Sequence, residues 1–178
     1  MARKIKRKQR EVRDSKSIWK FRTNKKIDWK VFIASFAIVF AVAYIGSIFT
    51  DTGNWYESIK PAITPPNYVF PIVWTILFYF ITLSLYYTVT SSNGKYEKQI
   101  GILFGMNFLI NILWSFFYFY QHDPVSAFVD IILLIISIVS IMVYTWKIDR
   151  RASVILIPYL IWVCFASVLN YLTILNMG

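Results

Sequence analysis

The sequence predicts an all-α integral membrane protein, a bundle of five transmembrane helices. Charge placement is the first observation. Thirteen of the nineteen Lys and Arg fall within residues 1–30, where Glu11, Asp14 and Asp28 leave a net charge of +10. The remaining 148 residues hold six basic and six acidic side chains and sum to zero. The second observation is a series of five apolar stretches, each long enough for the about 20 residues that a spanning helix needs. Third, 57% of the chain is hydrophobic and 16% charged, against about 25% charged in soluble domains.

Residues 1–30 read as a flexible, basic cytosolic arm that sets topology and touches anionic lipid. A five-helix domain follows over residues 31–178. A secretory signal peptide does not fit, because the basic region is too long and no convincing small-residue cleavage site follows the apolar run. A mitochondrial transit peptide shares the basic content, but this arm is poor in Ser and carries three acids. Charge alone would also suit nucleic acid. An arm tethered to a membrane body seldom serves that purpose, so no nucleic-acid partner is expected.

The first span, residues 31–50, has no Asp, Glu, Lys or Arg. Spans follow at 67–90, 99–121, 124–146 and 152–175, and Asp130 is the one such residue within all five. Turn signals separate them: Asp51-Thr52-Gly53-Asn54, Ser91-Ser92-Asn93-Gly94, His122-Asp123-Pro124 and Asp149-Arg150-Arg151. Short connections imply antiparallel neighbours packed as a bundle, and runs this long exclude a β-barrel. With the arm in the cytosol, the inner loops hold Lys95, Lys98, Lys147, Arg150 and Arg151, and the outer loops hold Lys60 alone. That asymmetry predicts a cytosolic N-terminus and an external C-terminus in a bacterial plasma membrane. An organellar membrane is the alternative.

Cys164 and His122 are each the sole residue of their type. No intrachain disulfide can form, and no metal site is expected. No acid–base pair or nucleophile–base pair points to hydrolysis or group transfer. The outer loop, residues 51–66, is longer than the other connections and carries Trp55, Tyr56, Pro61, Pro65 and Pro66. Prolines stiffen it, which suits a lid over a pocket. Its aromatic pair equally suits an interfacial anchor.

Helical spacing places Asn107, Asn111, Trp114 and Tyr118 on one face of the third span. Two amides in a bilayer need partners: either a ligand or a neighbouring helix. Tyr159, Trp162, Ala166 and Asn170 share a face of the fifth span. Pro158 is expected to kink that span and widen the bundle toward its outer half. Gly101 and Gly105 form a Gly-x-x-x-Gly pair on a separate face of the third span, fit for close contact with a second subunit or a helix of the same chain. Asp130 is a functional candidate as an intramembrane acid, with partial hydration near the outer end as the plainer account.

The motifs Trp55-Tyr56-Glu57-Ser58-Ile59-Lys60-Pro61, Pro65-Pro66 and Val69-Phe70-Pro71-Ile72-Val73-Trp74-Thr75 resemble the translocator protein family, also called tryptophan-rich sensory proteins or peripheral benzodiazepine receptors. Asn111-Ile112-Leu113-Trp114, Ala127-Phe128-Val129-Asp130, the run from Pro158 to Ala166, and Leu169-Asn170 extend the resemblance from residue 31 to about 176. The chain departs from the family pattern at Ile63, where a Trp is usual, and at Asn107, where a Gln is common. No basic residue follows Tyr171, so the cholesterol motif of animal members is incomplete.

The resemblance implies a cavity for a tetrapyrrole, protoporphyrin IX or haem, with no required cofactor and with lipid or sterol as other ligands. It implies ligand contacts from Trp55, Tyr56, Pro65, Pro66, Asn107, Asn111, Trp114, Tyr159, Ala166 and Asn170. Lys60 is expected to meet a propionate. A homodimer through Gly101 and Gly105 is implied, as is a role in stress or tetrapyrrole homeostasis. Some bacterial relatives degrade protoporphyrin IX in light, which makes Trp74 and Trp162 the candidate reacting indoles. The alternative function is a transporter or regulatory membrane protein for porphyrins, sterols or lipids. Against transport, no internal repeat, broken-helix pair or ion-coupling cluster is visible.

Overall fold

The computed structural model describes residues 27–177; most of the expected basic arm, residues 1–30, lies outside the described residues. The helices are α1 (Trp29–Ile48), α2 (Asn54–Ile59), α3 (Val69–Ser92), α4 (Glu97–Ser115), α5 (Pro124–Trp146), α6 (Arg150–Val154) and α7 (Ile157–Met177). A π-helical turn, Phe116–Tyr120, continues α4, and no strand occurs among the described residues. Among the described residues, five helical segments are long and apolar enough to cross a membrane, α6 and α7 counting as one. This is an all-α integral membrane protein.

Local chemistry sets the helix ends. Asp28 caps α1 by accepting from the backbone N–H of Lys30 (3.1 Å) and Val31 (3.3 Å). Asp123 caps α5 in the same way from Val125 and Ser126, with Pro124 in the first turn, where no backbone donor is needed. Those bonds, Ser126 foremost, hold the Asp123 carboxyl below the usual carboxylate range. The α3–α4 turn uses left-handed conformations at Asn93 (φ 50°) and Gly94 (φ 78°), residues that tolerate positive φ.

In α5, Ala127, Ile131, Leu134, Ile138 and Ile141 recur every three or four residues and are buried. The opposite face, with Val129, Ile136 and Val143 well over half exposed, is just as apolar. In water such a face would be unstable; here hydrocarbon solvates it. Buried hydroxyls in α3 are satisfied within the helix, Thr82 donating to the Phe78 carbonyl and Thr88 to that of Ser84.

Polar bonds close the end of the bundle opposite the 51–66 loop. Ser84 donates to the Ala152 carbonyl (2.8 Å). Ser91 donates to Asp149 (2.9 Å), which also accepts two bonds from the Arg151 guanidinium. Burial pushes the Asp149 carboxyl up, but the bonds from Arg151 and Ser91 outweigh it and leave it below its ordinary value.

The fifth span is interrupted next to Pro158, where the sequence predicts a kink. Its break lies at Ile155 and Leu156, between α6 and α7. Pro158 sits in the first turn of α7, where its missing N–H costs nothing. The irregularity lies at the end opposite the 51–66 loop.

Candidate functional site

A cavity of about 350 Å³ opens under the 51–66 loop, between α1, α3, α4 and α7. Its volume is within the range of small-molecule sites. Phe70, Trp74 and Phe78 of α3 form one wall. Asn111, Trp114 and Ser115 of α4 form another, joined by Tyr118 and Phe119 from the π-helical turn. The wider turn brings both of these adjacent rings to the inner side, leaving them 4% and 8% exposed. Ala166, Leu169 and Asn170 of α7 complete the side, and none of the described residues lining the cavity is Asp, Glu, Lys, Arg or His.

The loop forms a packed roof. Tyr56 lies over Phe119, ring centres 5.6 Å apart, and Trp55 stacks on His122 at 4.1 Å. Asn176 of α7 donates to the Ile59 carbonyl at the end of α2 (3.2 Å). Tyr56, Pro61, Thr64 and Asn67 of the roof segment line the cavity. Burial, followed by the neighbouring Tyr118 and Glu57, pushes the Tyr56 hydroxyl up to about 12, so it remains a donor at neutral pH.

Behind the cavity a polar chain ties three helices together. Asn111 donates to the Tyr159 hydroxyl (3.3 Å), which donates to Asn107 (3.4 Å); Asn107 in turn donates to Ser137 (2.7 Å). A second chain runs from the Trp114 indole to Asn170 (3.2 Å), whose amide donates to the Pro124 carbonyl (2.8 Å). Tyr118 shares a hydrogen bond with Thr173 (2.8 Å). These bonds remove the cost of burying amides in a bilayer.

The structure sorts the expected site residues. Tyr56, Trp74, Asn111, Trp114, Ala166 and Asn170 line the cavity. Asn107 and Tyr159 stand outside the lining; they are 1% exposed and spent on the polar chain. Trp55 is spent on His122 and Tyr118. Pro65 and Pro66 belong to the roof segment without lining the cavity. Trp162 is also outside the lining and packs edge-on against Phe70, 5.8 Å away. Lys60 is held by Glu57, three residues earlier. Asp130 is 5% exposed, and one carboxyl oxygen has no partner in the bundle.

The sequence reading missed the wall from α1, formed by Ala43, Gly46, Ser47 and Thr50. Their three- and four-residue spacing makes a stripe of small side chains, a signal open to the same wheel analysis as the third span. Among the described residues, no atom outside the adjoining turn of the same helix lies within 4 Å of where a Cβ on Gly101 or Gly105 would stand. No described helix packs closely on this pair.

Residues 35–175 match the model of the TspO/MBR family. The chain belongs to that family. Its relatives include the tryptophan-rich protein TspO of Chlorobaculum tepidum, 39% identical over 142 residues that cover 78% of this chain and 89% of the relative. The protein of the same name from Archaeoglobus fulgidus is 36% identical, covering 78% and 92%. The human translocator protein is 28% identical, covering 72% and 79%. The TspO/MBR match begins after the basic arm and takes in every residue named above as lining the cavity.

Proposed function

We propose that this TspO/MBR protein binds a tetrapyrrole, protoporphyrin IX or haem, in the roofed cavity, with a role in tetrapyrrole homeostasis. The observation that carries the reading is the uncharged cavity walled by Phe70, Trp74, Phe78, Trp114 and Phe119. Flat apolar macrocycles gain from aromatic walls through burial and offset stacking. The proposed setting is a bacterial plasma membrane, with the N-terminus cytosolic, in keeping with the Lys and Arg of the loops.

Light-dependent degradation is part of the proposal. An excited porphyrin oxidises a nearby indole or sensitises dioxygen, and the indole must stand close to the ring. Trp74 lines the cavity, whereas Trp162 lies behind Phe70. An absorbance titration with protoporphyrin IX, in the dark and then under light, tests both steps. Saturable binding is expected, with protein-dependent bleaching that Trp74→Phe loses and Trp162→Phe largely keeps. Absence of saturable binding would remove the tetrapyrrole reading, and bleaching unchanged in Trp74→Phe would remove that indole from the chemistry.

The proposal includes a homodimer through the open face around Gly101 and Gly105, flanked by exposed Ile102, Met106 and Leu109. Close backbone approach is what such a pair permits. Gly101→Leu is expected to shift the detergent-solubilised protein from dimer to monomer by light scattering; an unchanged mass would place any contact elsewhere.

A further inference from the structure

The roof contains a polar arrangement that neither the aromatic walls nor the bundle explains. Asn67 donates its amide nitrogen to Glu57 at 2.7 Å. Glu57 also pairs with Lys60. Those contacts, Lys60 first and Asn67 second, hold the Glu57 carboxyl below the usual carboxylate range. An ionised carboxylate only accepts hydrogen bonds. It therefore fixes the orientation of the Asn67 amide, nitrogen toward Glu57 and oxygen away from it.

That oxygen is shut off from solvent and has no hydrogen-bond partner, and the same is true of the Thr64 hydroxyl. Both residues line the cavity. A buried acceptor without a donor is costly, and the cost disappears when an occupant supplies the donor. Of the other cavity amides, Asn170 uses both its oxygen and its nitrogen, and Asn111, on the wall below the roof, spends its nitrogen on Tyr159 and keeps its oxygen. The Lys60 ammonium, the cation expected to meet a carboxylate, is taken by Glu57.

We propose that Asn67, oriented by Glu57 and assisted by Thr64, is the acceptor through which the roof recognises a neutral hydrogen-bond donor, a hydroxyl or N–H, on the edge of a flat apolar ligand. This rests on the proposed tetrapyrrole-binding function and narrows its ligand class: protoporphyrin IX and haem carry no hydroxyl or N–H on their outer edge, so the acceptor favours tetrapyrroles that bear a hydroxyalkyl group there. It assigns the roof end of the cavity to a donor-bearing edge. Carboxylates of a tetrapyrrole would lie away from Asn67, because an amide oxygen repels them and Lys60, the cation of the roof, is paired with Glu57.

Two porphyrins that differ at one kind of group provide the test. Haematoporphyrin carries hydroxyethyl groups where protoporphyrin IX carries vinyls. Fluorescence-quenching titrations would be run on the full chain in detergent, with cholesterol and its 3-methyl ether as a second pair. The wild type is expected to bind the hydroxylated member about fivefold more tightly, the effect of one net hydrogen bond. Asn67→Leu, similar in size but without an acceptor, is expected to erase that preference. Glu57→Ala, which leaves Asn67 in place, is expected to reduce it by freeing the amide to turn.

Thermal unfolding midpoints matching the wild type would show that the variants are folded. Equal affinities within both pairs in the wild type, or a preference that survives in Asn67→Leu, overturns the assignment. If neither porphyrin binds but the sterol pair shows an Asn67-dependent preference, the tetrapyrrole reading falls and the acceptor stands. Failure of both pairs to bind overturns both.

Discussion

Tyr159→Ala is expected to destabilise the bundle by about 3–5 kcal/mol, the usual cost of removing a large buried aromatic. The side chain is 1% exposed and belongs to the main core. Its ring meets Trp74 edge-on at 6.3 Å. Its hydroxyl joins Asn111 to Asn107. Truncation thus opens a void and leaves two membrane-buried amides short of a partner. Tyr159→Phe separates the two effects, since it keeps the ring and loses only the bonds. It should cost about 1 kcal/mol, in line with hydrogen bonds between membrane helices. Thermal unfolding in detergent reads both variants. The alanine variant is expected to melt about 10 °C lower; a midpoint close to wild type would mean that the polar chain does not hold the helices together.

Gly46→Leu is expected to lower protoporphyrin IX affinity at least about tenfold, or about 1.4 kcal/mol, without destabilising the protein. Gly46 is buried on the cavity side of α1, and a Cβ added there would meet only the Ser115 hydroxyl oxygen, at 3.9 Å. That is an ordinary contact, so the leucine can enter, and its branched end then occupies ligand space. Leucine also favours a helix over glycine by about 1 kcal/mol. Blocked binding together with an unchanged or raised unfolding temperature would therefore report on the cavity itself. Gly46→Ala adds only the tolerated methyl and should bind normally. Wild-type affinity in Gly46→Leu would show that the ligand sits elsewhere.

Both predictions concern residues whose helices were readable from the chain, but whose roles were not equally readable. Asn107 and Asn111 share a helical face, and an intramembrane amide must find a partner, so the inward direction of both followed from periodicity and solvation alone. Which amide would meet a ligand did not. One turn of helix separates them, and that offset puts Asn107 against Ser137 and Tyr159 while Asn111 reaches the cavity wall. Trp74 and Trp162 were indistinguishable as indoles in apolar spans; the position of Phe70 separates them.

The five apolar stretches, the basic arm and the turn residues between spans establish the class of this protein, because hydrocarbon imposes length and apolarity residue by residue. The cap at Asp123-Pro124 and the turn at Asn93-Gly94 are likewise local chemistry. Contacts between distant segments needed the folded chain. The Glu57–Asn67 bond and the Trp55–His122 stack join residues that no periodicity relates, and the α1 stripe, legible as a face, meets the cavity only in the folded chain. The break before Pro158 belongs with them only in its form: proline permits a kink or a helix start, and the folded chain has the start, after Ile155 and Leu156. Periodicity reports which face of a helix turns inward, whereas the register between helices decides what that face meets.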